Sequence, residues 1–282
     1  MRIEASFLEI ASAYRFVFLD AYGVLKNSTG MIQGAAETLL KLGEQGSDCY
    51  VITNDASRSP GQMARSYCHP RYGELVPVEH IISSGMLASD FLASKVRPGR
   101  VAYVGKPSSA YYIESAGHTP LPVAQCADDH AIDALVLLDD EGFDWFSDIN
   151  RCVNLLRRQN VPVVVANTDL SYPASETDVS IAVGSLANMI EGIIQKTFIR
   201  FGKPDTQIFD FAYDLVLTRD PLTSKKQVLM VGDTLHTDIL GGNKFGIDTL
   251  LVLSGNTQER DAEVRIHATG ILPNFVCASI AT

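Results

Sequence analysis

Three apolar runs in this sequence end on polar residues of types that can do chemistry. The run Arg15-Phe-Val-Phe-Leu-Asp-Ala-Tyr-Gly-Val-Leu25 stops on Asp20 and can turn at Gly23. Read as a buried strand, it puts Asp20 at the carboxyl edge, where open α/β sheets place their ligands. Asp20 is therefore a candidate nucleophile or metal ligand; helix capping or turn formation is the alternative for an aspartate so placed. The run Cys49-Tyr-Val-Ile-Thr53 ends on Thr53-Asn54, and Ser59-Pro60 then opens a helix as N-cap and first-turn proline. A hydroxyl, free backbone N–H groups and a helix start can hold a phosphate, or can merely satisfy a turn. The run Gln227-Val-Leu-Met-Val231 leads straight into Gly232-Asp-Thr-Leu-His-Thr-Asp238. Crowding Asp233 and Asp238 at a buried strand tip is unfavourable without a cation, and hard oxygen donors suit Mg²⁺. The alternative has Asp233 capping a helix and Asp238 solvated.

The elements that must position these residues alternate strand and helix. Ala35, Ala36, Leu39, Leu40 and Leu42 recur near helical spacing, closed by Gly43 and Gly46. From Ile81 onward a second series begins, with strands at 101–104, 134–138 and 161–166 and helices at 109–116 and 147–159. The strand at 134–138 ends in Asp139-Asp140-Glu141. A helix at about 185–198 returns the chain to the first unit, which adds a helix at 205–217, the strand before Gly232, a helix to Phe245 and a last strand at 248–253. This alternation predicts an α/β protein with a doubly wound parallel sheet and right-handed crossovers. Residues 1–84 and 196–282 form the core, and 85–195 a smaller inserted α/β domain.

Composition narrows the partners. With 46% hydrophobic residues over 282 positions the chain can build a full core. A net charge of −10 argues against nucleic acid and against an anionic membrane, both of which need a basic face. Glu4 and Glu9 interrupt the N-terminus, which lacks the apolar core of a signal peptide, and no run is long enough to span a bilayer. The five cysteines (Cys49, Cys68, Cys126, Cys152, Cys277) form no Cys-x-x-Cys pair and read as reduced, mostly buried thiols of a cytoplasmic protein.

Taken in order, Asp20, Thr53, Gly202-Lys-Pro204 and the Asp233/Asp238 pair make the sequence resemble the haloacid dehalogenase superfamily of hydrolases. It is most similar to the NagD-like sugar-phosphatase and p-nitrophenyl-phosphatase branch, subfamily IIA, whose α/β cap is inserted between the second and third motifs. Val51-Ile-Thr-Asn-Asp-Ala-Ser-Arg58, Ala166-Asn-Thr-Asp169 with Gly184-Ser185, and Val231-Gly-Asp-Thr-Leu-His-Thr-Asp-Ile239 carry the resemblance over nearly the whole chain. Gly-Lys-Pro also occurs at Gly105-Lys106-Pro107, but only the second copy opens a core helix shortly before the acidic motif, so Lys203 corresponds to the family's active-site lysine; Lys106, after a strand of the cap, is a solvated loop residue or, as the alternative, faces substrate. The resemblance implies a phosphatase of small phosphorylated metabolites, sugar phosphates among them. Asp20 would attack phosphorus to give an aspartyl-phosphate, and Mg²⁺ would be held by Asp20, Asp233, Asp238 and the backbone carbonyl of Tyr22. Thr53, the N–H groups around Asn54, and Arg58 would bind phosphate, with Lys203 adding fixed positive charge. The family's caps often help form dimers, so a homodimer through the cap is a further expectation.

Tyr22 departs from the pattern. Phosphatases of this family carry an aspartate there as general acid and base, whereas tyrosine, with an unperturbed pKa of about 10, is a poor base at neutrality. Losing such help typically slows a reaction by about 10²–10⁴-fold. Three readings follow: a slowed Mg²⁺-dependent phosphatase in which Tyr22, able to donate a proton, or another group partly replaces the missing acid; a catalytically impaired protein that binds a phosphorylated ligand or a partner; and a carbon–halogen dehalogenase, whose opening motif Asp20-Ala-Tyr-Gly23 resembles. The Asp233/Asp238 pair stands against the last. Phe143, Trp145 and Phe146 are candidates for a substrate wall or for cap packing, and His236 has no second histidine at ligand spacing.

Overall fold

The computed structural model describes residues 3–4, 6–127, 130–175 and 178–281. The apolar run after Arg15 forms β1 (Phe16–Leu19), buried at every position. Two more strands of the same sheet follow, β2 (Asp48–Thr53) and β3 (Ile81–Ser83). The chain then builds a second sheet from β4 (Arg100–Val104), β5 (Thr119–Pro122), β6 (Ala134–Leu137), β7 (Val163–Val165) and β8 (Ile199–Arg200). It returns to the first sheet through β9 (Val228–Gly232), β10 (Asp248–Val252) and β11 (Phe275–Cys277).

The first sheet has the order β11-β10-β9-β1-β2-β3, with every neighbouring pair parallel. From β1 the chain moves outward through β2 and β3, and on its return it fills the other side from β9. The strand order therefore reverses between β1 and β9, the place where such a sheet opens a crevice beyond its strand tips. Leu19 pairs with Val231 there, so Asp20 and Gly232-Asp233 leave the sheet side by side.

The second sheet, ordered β8-β7-β6-β4-β5, is also wholly parallel. Its last strand lies beyond the expected end of the insert at residue 195: Ile199 and Arg200 pair with Val164 and Val165, so the inserted sheet extends to Arg200. The two sheets are not separate bodies of packing. The helix Ser84–Lys95 buries Leu87, Ala88 and Leu92 in one apolar cluster that holds Phe18 and Ile52 of the first sheet and Val101 and Val136 of the second. Beyond the strand expected to be last, the helix Glu259–Thr269 leads to β11, a three-residue strand against Leu250–Val252.

Cys126, Cys152 and Cys277 are buried, and all five thiols are free. Among the described residues no helix is long and apolar enough to cross a membrane.

Candidate active site

Asp20 leaves β1 with its N–H donated to the Val231 carbonyl at 2.9 Å. Gly23 follows with φ +80°, a conformation that L side chains rarely adopt, and a Cβ there would lie 2.1 Å from Asp233 Oδ2. Gly255 approaches the same carboxylate from the other side, its notional Cβ at 1.8 Å. Only glycines can form this cradle, and it buries Asp233 almost completely. Asp233 Oδ2 accepts from Asn256 N at 2.6 Å, and Oδ1 from Thr234 Oγ1 at 2.9 Å.

The helix expected after Asp233 begins as a widened π turn, Leu235–Ile239, before the α-helix Leu240–Phe245. Such turns recur at functional sites. This one brings fully buried Asp238 back against Gly232, where a Cβ would sit 2.2 Å from the Asp238 side chain. Lys203, 2% exposed, reaches in from the loop ahead of the helix Thr206–Arg219. Its Nζ lies 2.6 Å from Asp20 Oδ1, 2.7 Å from Asp238 Oδ1 and 2.9 Å from the Ile52 carbonyl oxygen.

Oxygens of Asp20, Asp233 and Asp238 lie within 4.8 Å of one another. Three carboxylates against one ammonium leave two excess negative charges in a largely buried, all-oxygen donor set. That chemistry fits a hard divalent cation such as Mg²⁺. The crowding shows in the titration of the acids. Burial pushes Asp233 well above the usual carboxylate range, and Asp20 and Asp238 push it further. Burial raises Asp238 to about 7, with Lys203 opposing and Asp20 adding. For Lys203 the largest influence, burial, favours the neutral form, yet Asp20 and Asp238 together hold the ammonium protonated.

A cavity of about 720 Å³ opens in front of Asp20, lined by residues that follow strands of both sheets. Thr53 faces it, its Oγ1 accepting from Asp55 N at 3.1 Å. Arg58 also lines it, with Nη2 2.9 Å from Asp55 Oδ2. Asn54 does not. Its side chain, 2% exposed, donates to Thr168 Oγ1 (3.1 Å), Asp169 Oδ1 (2.9 Å) and the Lys203 carbonyl (3.1 Å) and accepts from Lys203 N at 2.7 Å. It clamps the lysine loop and leaves only its backbone toward the strand tip. Tyr22 lines the cavity, but its hydroxyl donates to the Pro173 carbonyl at 2.9 Å and its ring packs edge-on against Tyr172.

Sequence reasoning missed other parts of this cavity. Lys26 lies on the turn that Gly23 N closes onto the Lys26 carbonyl, and its side chain joins the wall, where burial lowers the ammonium's pKa. For Lys106 the structure favours the substrate-facing alternative over a purely solvated loop residue: it lines the cavity and pairs with Glu141 at 2.7 Å. Both residues stand at strand or turn ends, the one signal that could have pointed to them. Phe143 and Trp145 pack against each other with tilted rings, Phe146 is 82% exposed, and His236 is exposed on the π turn; none of the four lines the cavity.

Comparison with known proteins agrees with this architecture. Residues 17–119 match the haloacid dehalogenase-like hydrolase family and residues 200–282 the HAD-hydrolase-like family. The fold superposes with a TM-score of 0.94 on a possible sugar phosphatase of the HAD superfamily from Cytophaga hutchinsonii, 51% identical over 100% of this chain and 99% of the other. The chain belongs to the haloacid dehalogenase superfamily and carries its Rossmann-like core with an inserted cap. Within it the chain resembles the NagD-like branch, subfamily IIA. It is 29% identical to glycerol-3-phosphate phosphatase of Gallus gallus over 94% of this chain and 89% of that protein, and its fold matches NagD of Escherichia coli K-12 with a TM-score of 0.73 at 24% identity, covering 95% and 97% of the two chains.

Proposed function

We propose that the protein is a Mg²⁺-dependent phosphatase of small phosphorylated metabolites, working through an aspartyl-phosphate on Asp20. The observation that carries this reading is the Lys203-bridged pair Asp20 and Asp238 beside Asp233, at the strand-order reversal and open to one cavity. Similarity to the possible sugar phosphatase and the glycerol-3-phosphate phosphatase supports the substrate class.

Asp20 attacks phosphorus as its bond to the leaving oxygen breaks, and water then hydrolyses the acyl phosphate, so that one hard displacement becomes two easier ones. Lys203 aims Asp20 through its 2.6 Å contact with Oδ1. Thr53, the N–H groups around Asn54, and Arg58 take up the phosphoryl oxygens. Asp20, Asp233, Asp238 and the Tyr22 carbonyl would hold Mg²⁺, which when bound neutralises charge on the phosphoryl group. The Tyr22 hydroxyl, engaged by Pro173, does not replace the acid/base, and turnover is slowest for leaving groups that need a proton. The same engagement favours a second reading, a protein that binds a phosphorylated ligand without turning it over. We also propose that two copies pair through the cap, where Val179 and Ile181 stand 68% and 56% exposed.

Hydrolysis of p-nitrophenyl phosphate, with and without Mg²⁺, tests the reading on the native protein and on Asp20→Asn. Mg²⁺-dependent turnover that Asp20→Asn abolishes supports the phosphatase. No phosphate release over hours would favour the ligand-binding reading, and halide release from a haloacid under the same conditions would instead make it a dehalogenase.

A further inference from the structure

The cap sheet is itself doubly wound. From β4 the chain moves outward to β5, then crosses to fill the other side with β6, β7 and β8. Its order reverses between β4 and β6, so it too opens a crevice beyond those two strand tips. The loops there carry Lys106 and Asp139-Asp140-Glu141, and all four residues line the cavity that holds Asp20.

Packing fixes this wall. Gly105, with φ +149°, lies so close that a Cβ would stand 3.0 Å from Asp139 Cβ, and at Gly142, with φ +85°, a Cβ would stand 2.7 Å from Lys106 Cα. The two loops therefore meet backbone to backbone. Lys106 is drawn to Glu141 at 2.7 Å and leaves Asp139 Oδ2 4.0 Å away. Asp140 Oδ2 accepts from the Tyr172 hydroxyl at 2.9 Å. Asp139 is 6% exposed, and among the described residues its Oδ2 has no hydrogen-bond partner. Burial raises this carboxyl to about 6, although Lys106 opposes the shift. The wall thus sets three carboxylates against one ammonium, while Lys26 and Arg58 line the same cavity from the core loops.

We infer that this wall receives the leaving group of the phosphomonoester and selects neutral or cationic groups bearing hydroxyl or ammonium donors over anionic ones; the inference rests on the phosphatase reading above. A donor at Asp139 partners a buried acceptor that otherwise lacks one. A carboxylate on the leaving group meets excess negative charge in a site of low dielectric, where like charges repel strongly.

The test compares kcat/KM for glycerol 3-phosphate, glucosamine 6-phosphate, 2-phosphoglycolate and p-nitrophenyl phosphate. The native protein is expected to prefer the first two over 2-phosphoglycolate by at least about tenfold, since like-charge juxtaposition costs several kcal/mol. Which of the two is preferred tells a hydroxyl from an ammonium donor. Asp139→Asn should narrow the preference at least about fivefold, because one charge-assisted hydrogen bond is removed. Glu141→Gln, on an exposed side chain, should narrow it less and in the same direction. Equal use of 2-phosphoglycolate by the native protein overturns the inference, as does a uniform change of all four substrates in both variants. If the native protein hydrolyses none of them, the phosphatase reading fails, and calorimetric binding to the native protein decides the wall: preference for glycerol 3-phosphate over 2-phosphoglycolate supports it, and equal or absent binding overturns it.

Discussion

Tyr22 donates its hydroxyl to the carbonyl oxygen of Pro173 at 2.9 Å, joining the loop of the candidate nucleophile to the cap. Pro173 ends one strand of the ribbon Ser171–Pro173/Val179–Ile181, and Tyr172 beside it bonds onward to Asp140. The position at which the family resemblance implies an acid/base here holds a latch. Two substitutions separate the roles. Tyr22→Phe removes the bond, and its denaturation midpoint should show a loss of about 1 kcal/mol, the usual worth of one such hydrogen bond. Tyr22→Asp introduces a carboxyl, and kcat on glycerol 3-phosphate should rise by about 10²-fold, the low end of general acid–base help. Its effect on p-nitrophenyl phosphate, whose leaving group needs little protonation, should be far smaller. Equal gains on both substrates would argue against a missing acid.

Lys203 is the cation between Asp20 and Asp238, and it is 2% exposed. Lys203→Met would leave buried carboxylates without their ammonium, and breaking a buried pair from one side typically destabilises by about 3–5 kcal/mol. Urea unfolding in EDTA should show that loss. Added Mg²⁺ should recover part of it, because a cation bound only by the folded state stabilises that state. A variant as stable as the native protein in EDTA would mean that the three carboxylates do not need the lysine.

Much of this site was legible because Asp20 and Asp233 stand at the end of buried runs and Asp238 follows in the same motif, and a strand tip is where polar side chains escape the core. The Asn54 side chain has a task of its own for a physical reason. Adjacent residues of an extended chain point to opposite sides, so when Thr53 faces the cavity Asn54 turns away, into the lysine loop. Lys106 and Asp139 were not legible as a pair, because nothing local encodes the order in which parallel strands assemble. Their meeting follows from β4 lying beside β6, a relationship of the whole cap. The strand Phe275–Cys277 escaped for want of length; its three residues are a strand only against Leu250–Val252.

Asp139 gives stability a pH dependence of definite sign. Its carboxyl is raised from an ordinary value of 3.8 to about 6 by burial, so the folded state holds this proton more tightly than the unfolded chain. Between those values the folded state binds more protons, and stability falls as pH rises through that window, then levels off above it. Asp139→Asn has no proton to lose. The difference in melting temperature between Asp139→Asn and native protein should therefore shift in favour of the variant as pH rises from 4 to 6, and stay constant above that. A difference independent of pH would show that Asp139 titrates as an ordinary surface acid.

The cap presents apolar side chains to solvent on one ribbon and the helix next to it. Val179 and Ile181 are 68% and 56% exposed on the ribbon, and Met189 and Ile193 are 47% and 57% exposed on the helix Val183–Ile194, which contacts the ribbon strand Ser171–Pro173. Exposed apolar side chains grouped in this way mark interaction surfaces more often than they occur by chance. If a second copy covers them, sedimentation at micromolar concentration should give a dimer. Ile181→Lys should then give a monomer, since a lysine buried across a two-fold contact brings an unpaired charge out of water. A native protein that sediments as a monomer would leave these side chains as isolated surface residues and remove the dimer from the account of the cap.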